Sequence, residues 1–123
     1  MRSLWIGAAG FVGAIARYHV DGLVGRHSRS DFPWGVLVVN VSGCFVLGVL
    51  VTLFSRRFVV SEDLRLALTV GLLGAYTTFS TFAFQVLRLA EDGRAGVASV
   101  YVVVSVIAGV AAAWLGTSLA RLA

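Results

Sequence analysis

The chain has 123 residues, 59% of them apolar and only 13% charged, with a mean hydropathy of +0.92, where a soluble domain is typically about half apolar and a quarter charged. That excludes an ordinary water-soluble globule and leaves one small membrane domain, residues 1–123, because four spans of about 20 residues use roughly 80 positions. The net charge of +4 comes from ten arginines, mostly scattered singly, against six acids, so no polybasic stripe offers nucleic acid a surface.

The first apolar segment runs over about 4–23. Arg2 before it and Ala14-Ile15-Ala16 within it have the outline of a cleavable leader. Gly7, Gly10 and Gly13 interrupt the run at i+3 spacing, which suits close helix packing instead, so a retained helix is expected. Arg17 and Asp21 stand one turn apart towards its far end. The second segment, 32–54, holds Asn40 inside Val39-Asn40-Val41-Ser42-Gly43. Its amide donates and accepts, either as glue between helices or as a lining group for a polar path. Cys44 is the only cysteine, so it forms no intrachain disulfide and is expected to pack.

The third segment, 64–89, contains Gly71-Leu72-Leu73-Gly74-Ala75-Tyr76-Thr77-Thr78-Phe79-Ser80-Thr81-Phe82. Glycine weakens a helix, and Ser and Thr hydroxyls compete for its carbonyls, so a break near the middle is expected. The alternative is a bent helix back-bonded by those hydroxyls. Phe79 and Phe82, at i and i+3, share one face; they pack in the core or turn their electropositive ring edges to an anion. The fourth segment, 97–119, places Tyr101 and Ser105 on one face. Each segment is long enough to cross about 30 Å of hydrocarbon as a helix, and runs such as Val102-Val103-Val104 lack the alternation of a barrel strand. Trp5, Tyr18, Trp34 and Trp114 fall towards segment ends, where amphipathic rings anchor in the headgroup layer.

Four spans put Arg2, Arg56, Arg57, Arg65 and Arg121 on one side, and Arg26, Arg29, Arg88 and Arg94, with Arg17, on the other. With no excess to fix orientation, the chain either inserts both ways and pairs with an inverted copy about a two-fold axis in the membrane plane, or is oriented by a single arginine or by the insertion machinery. No Asp, Glu, Lys or His lies mid-span, so the usual coupling group of a proton-driven carrier is absent. What remains at depth is an amide, several hydroxyls and two aromatic edges. Donors without fixed charge suit an anion that is stripped of water but not held, against a Born cost of order 20 kcal/mol.

Gly10-Phe11-Val12-Gly13-Ala14-Ile15-Ala16-Arg17-Tyr18, Asn40-Val41-Ser42-Gly43-Cys44-Phe45 and Gly74-Ala75-Tyr76-Thr77-Thr78-Phe79-Ser80-Thr81-Phe82 together resemble the fluoride-specific ion channel family, Fluc or CrcB, over nearly the whole chain. The resemblance implies an all-α integral membrane subunit of four transmembrane helices, the third broken, in a dual-topology antiparallel homodimer with two fluoride pores and a structural sodium ion at the dimer interface. It implies a passive, non-enzymatic fluoride channel in a prokaryotic plasma membrane. Asn40, Phe79, Phe82, Thr78, Ser80, Tyr101 and Ser105 would line the pore, Arg17 its vestibule, and the Gly74 and Thr77 carbonyls from both subunits would hold the sodium. The sequence departs from the family at Ala75, where many relatives have glycine, and at Gly109, which brings no hydroxyl one turn beyond Ser105. The rival readings are a small dual-topology exporter of drug-like cations, which should carry a Glu in span one, and a structural subunit that transports nothing.

Overall fold

The computed structural model describes residues 1–28 and 30–123; Arg29, counted above with the arginines of one side, lies outside the described residues. Among these the fold is entirely helical: α1 (Arg2–His27), α2 (Trp34–Arg56), a third column made of α3 (Glu62–Leu66), a π-helical turn (Ala67–Leu72), α4 (Leu73–Tyr76) and α5 (Phe79–Glu91), and α6 (Ala95–Leu122). α1, the third column and α6 outrun their apolar segments at both ends, and α2 is displaced two residues along from its own, since a helix continues until a turn or a cap stops it rather than where hydropathy falls. Ser61 caps α3, its hydroxyl accepting from Leu64 N at 3.3 Å. Gly93, at φ +76°, ends α5 with paired Gly93 N to Ala90 O and Arg94 N to Leu89 O bonds, the left-handed closure that glycine makes without a Cβ penalty.

Three helical stretches are long and apolar enough to cross a membrane by length and composition: Trp34–Arg56, Glu62–Glu91 and Ala95–Leu122. The expectation of four is not met on this measure. α1 has the length, at 26 residues, but Arg17, Tyr18, His19 and Asp21 dilute its last third. The exterior is strongly apolar: Phe11, Ile107 and Val110 are each more than three-fifths exposed. In water such a surface would collapse or aggregate, and in hydrocarbon it is at home.

The columns pair in parallel. α1 runs beside the first half of the third column, where a Cβ at Gly13 would enter the Leu72 carbonyl and one at Gly71 would enter that of Ile6. α2 runs beside α6, with Gly48 against the Ala113 carbonyl and Gly116 against that of Phe45. Backbones this close draw on packing rather than on a hydrophobic drive, as small residues do between helices in lipid. Of the three glycines expected to pack in α1, Gly10 and Gly13 do; Gly7 meets nothing within 4 Å. After its break the third column changes partner, and α5 lies on α6 in a cluster of Leu37, Leu89, Ala98 and Tyr101 with Phe82 against it.

Ion pairs fasten both ends. Arg2 reaches Asp63 Oδ1 and Glu62 Oε2, both at 2.8 Å, and its hydrogen bond to Asp63, with the charge of Glu62, raises the guanidinium further above its ordinary pKa. At the other end Arg94 Nη1 lies 3.2 Å from Asp31 Oδ2.

Candidate functional site

The third column breaks at Thr77 and Thr78, both extended (φ −80°, ψ 157° and φ −148°, ψ 117°). Two extended residues inside an apolar column free backbone groups that hydrocarbon cannot satisfy. Asn40 of α2 supplies partners: Thr78 N donates to Asn40 Oδ1 at 2.8 Å, and Asn40 Nδ2 donates to Thr78 O at 3.0 Å. The amide closes on Thr78 as another peptide group would in a sheet. Thr78 N–H is the donor that a continuous helix would aim at the Gly74 carbonyl, so the break takes that carbonyl's helical partner away. Thr77 and Thr78 then divide the work of restarting the chain. Thr77 Oγ1 donates back to Leu73 O at 2.9 Å, whereas Thr78 Oγ1 accepts from Thr81 N at 3.3 Å and caps α5.

Hydroxyls cluster around this point. Thr78 Oγ1 donates to Thr81 Oγ1 at 3.1 Å and lies 3.5 Å from Ser80 Oγ, and Ser42 Oγ lies 2.9 Å from the Tyr76 hydroxyl. An open cleft of about 290 Å³ lies against the break, bordered by Asn40, Gly43, Gly74, Thr77, Thr78 and Phe79. Thus Asn40, Gly74, Thr77, Thr78 and Phe79 border one cleft. Cys44 borders the same cleft, half-buried and free.

The aromatic rings make a second group along α5. Phe79 and Phe82 have centroids 5.9 Å apart, and Phe82 meets Tyr101 edge-on at 5.1 Å. They are unequal, since Phe79 is 79% exposed and Phe82 half-buried. Tyr101 is wholly buried, and its hydroxyl donates to Gln85 Oε1 at 2.8 Å. Gln85 was not singled out above, although Thr81, Gln85, Arg88 and Asp92 recur at i, i+4, i+7 and i+11 and draw a polar stripe that helical periodicity could have found. Ser105 Oγ is buried with no hydrogen-bond partner among the described residues, a hydroxyl with a proton to give. Arg17 stands apart: it is half-buried on α1, does not border this cleft, and makes no ion pair among the described residues. Asp21, its expected neighbour, sits instead against Gly35 at the start of α2.

Among the described residues no three His, Cys, Asp or Glu side chains gather in a metal-binding group. The oxygens at the break are carbonyls and hydroxyls, hard donors that suit a hard cation and not a transition metal.

A helical protein with an apolar exterior, whose one broken column is held by a half-buried amide and edged by hydroxyls and aromatic rings, is a multi-pass membrane protein. The chain belongs to the CrcB-like family, whose description reads "CrcB-like protein, Camphor Resistance (CrcB)" and whose model matches residues 4–117. It is similar to the fluoride-specific ion channel FluC of Acidobacterium capsulatum, at 40% identity over 94% of this chain and 93% of that one. The protein of that name from Rhizobium leguminosarum bv. trifolii is 41% identical over 98% and 97%, and that from Methylococcus capsulatus is 46% identical over 94% of this chain but 51% of its own.

Proposed function

We infer that the chain is a passive fluoride-selective channel of the cell membrane and not an enzyme. The relatives' shared name supports this, and the observation that carries it is the Asn40–Thr78 closure, which holds a break open at membrane depth without placing a charge there. A dehydrated fluoride finds donors in succession: the second Nδ2 hydrogen of Asn40, the Ser80 hydroxyl, the ring edges of Phe79 and Phe82, and the unpartnered Ser105 hydroxyl on the Tyr101 side. Each is weak alone, so the ion is passed on rather than bound. Purified protein in vesicles is expected to release fluoride and retain chloride; comparable chloride efflux in an electrode assay overturns the reading.

In the same reading α1 is the fourth span, its polar last third lying against α2, and Arg17 serves the vestibule. The subunit pairs with an inverted copy, since the cleft at the break is open on one side and the arginines are balanced. The Gly74 and Thr77 carbonyls of the two copies would together hold a sodium ion, which on binding would supply only charge to fasten the interface. The chain's own part is to leave those carbonyls out of the helical ladder.

A further inference from the structure

A second cleft, of about 560 Å³, opens beside α5 where the turn before α2 meets the turn before α6, and Asp31, Gln85, Arg88, Asp92 and Arg94 border it. Arg94 Nη1 lies 3.2 Å from Asp31 Oδ2, and the Asp31 side chain is 85% exposed against 37% for Arg94. The carboxylate therefore stands on the water side of the pair and the guanidinium on the inner side. Arg88, one turn from Gln85, makes no ion pair among the described residues. Gln85 joins this cleft to the interior, because its Oε1 is held by the Tyr101 hydroxyl and the Tyr101 ring meets Phe82.

We propose that this cleft is an anion-docking mouth in which Arg88 and Arg94 receive a small anion and Asp31 is a tethered competitor for Arg94. The proposal deepens the channel reading above and rests on it for the fate of the anion after docking. Guanidinium forks bind oxyanions and halides through charge-assisted N–H bonds, and a cleft with low-dielectric walls concentrates their field. With Asp31 and Asp92 in place the formal charges of the mouth cancel. That balance suits conduction, since an ion must leave as readily as it enters. An arriving anion exchanges with the Asp31 carboxylate, which swings into water where it is already largely exposed, so charge is conserved at Arg94 and nothing else need move.

Sodium sulfate is the probe, a dianion that two free guanidiniums hold more tightly than they hold fluoride. In calorimetric titration of the purified protein at low ionic strength, Asp31→Asn is expected to bind sulfate at least about tenfold more tightly than the unaltered chain. Adding Arg94→Gln or Arg88→Gln to that background is expected to abolish the gain; Arg88→Gln stands in should Arg94→Gln, at the start of α6, fail to fold. In vesicles, sulfate should inhibit fluoride efflux more strongly in Asp31→Asn, and the difference should fade near 1 M salt, where charges are screened within about 3 Å. Equal sulfate affinity in the unaltered chain, Asp31→Asn and Arg88→Gln overturns the mouth. If the unaltered chain releases no fluoride, the channel reading fails by itself, and the titration still decides whether the cleft docks anions.

Discussion

Asn40 stands in for a peptide group. Its two bonds to Thr78 satisfy a donor and an acceptor that the break would otherwise orphan, and an unsatisfied buried group costs about 1–3 kcal/mol. Asn40→Leu, which keeps the bulk, is therefore expected to lower thermal stability by about 2–6 kcal/mol and to abolish fluoride efflux; a melt at the unaltered temperature would show that the break needs no support. The two rings divide differently. Phe79 is 79% exposed and Phe82 packs on Tyr101, so Phe79→Ile should leave stability nearly unchanged while Phe82→Ile costs about 1 kcal/mol through its lost aromatic contacts. Both should cut fluoride efflux at least about tenfold, a barrier rise of about 1.4 kcal/mol. Vesicles carrying either variant and conducting at the unaltered rate would remove that ring from the path. Gln85 offers a milder test, since Tyr101→Phe leaves Gln85 Oε1 unpaired at about 1 kcal/mol in a melt.

Helices meet helices here through glycine, and their packing can be tested with an internal control. Gly48→Ala and Gly116→Ala would push a methyl into the Ala113 and Phe45 carbonyls, whereas a Cβ at Gly109 meets only Cys44 Sγ at an ordinary 3.5 Å. The first two are expected to destabilise by about 1–3 kcal/mol and Gly109→Ala by almost nothing, as read by melting of the purified protein; equal effects at all three would place the α2–α6 crossing elsewhere. The break was legible in advance because Gly74 and a run of hydroxyls weaken any helix locally. The bond of Asn40 to the Thr78 peptide was not, since one amide suits glue and pore alike until its partner is known. The π-helical turn at Ala67–Leu72 left no compositional trace: those residues would serve an ordinary helix, and the wider turn coincides with the contact between Gly71 and the Ile6 carbonyl. Gln85 escaped because a search for charges at depth passes over an amide.

Taken whole, the molecule is fastened at both ends by arginine–carboxylate pairs and apolar between them. The dual orientation proposed for it is testable with a single cysteine at position 3 or 123 in a Cys44→Ala background, a change that only removes the sulfur facing Gly109. Labelling in intact cells is expected to find each terminus on both sides, in two populations of similar size. One population alone would refute self-pairing by an inverted copy.

The parallel pairing of α2 with α6 also imposes a schedule on synthesis. Arg56 ends α2 and Leu122 ends α6, 66 residues later, so at about 5–20 residues per second the helix waits about 3–13 s for its main neighbour. Through that interval α2 lies in the bilayer with its Gly48 face unfilled, and until the third column arrives Gly43 lacks Thr77 and Asn40 lacks the Thr78 peptide. A ribosome that stalls before α6 leaves a chain whose defect is a bare glycine face, and the membrane's proteases then have those seconds in which to tell an unfinished subunit from a finished one.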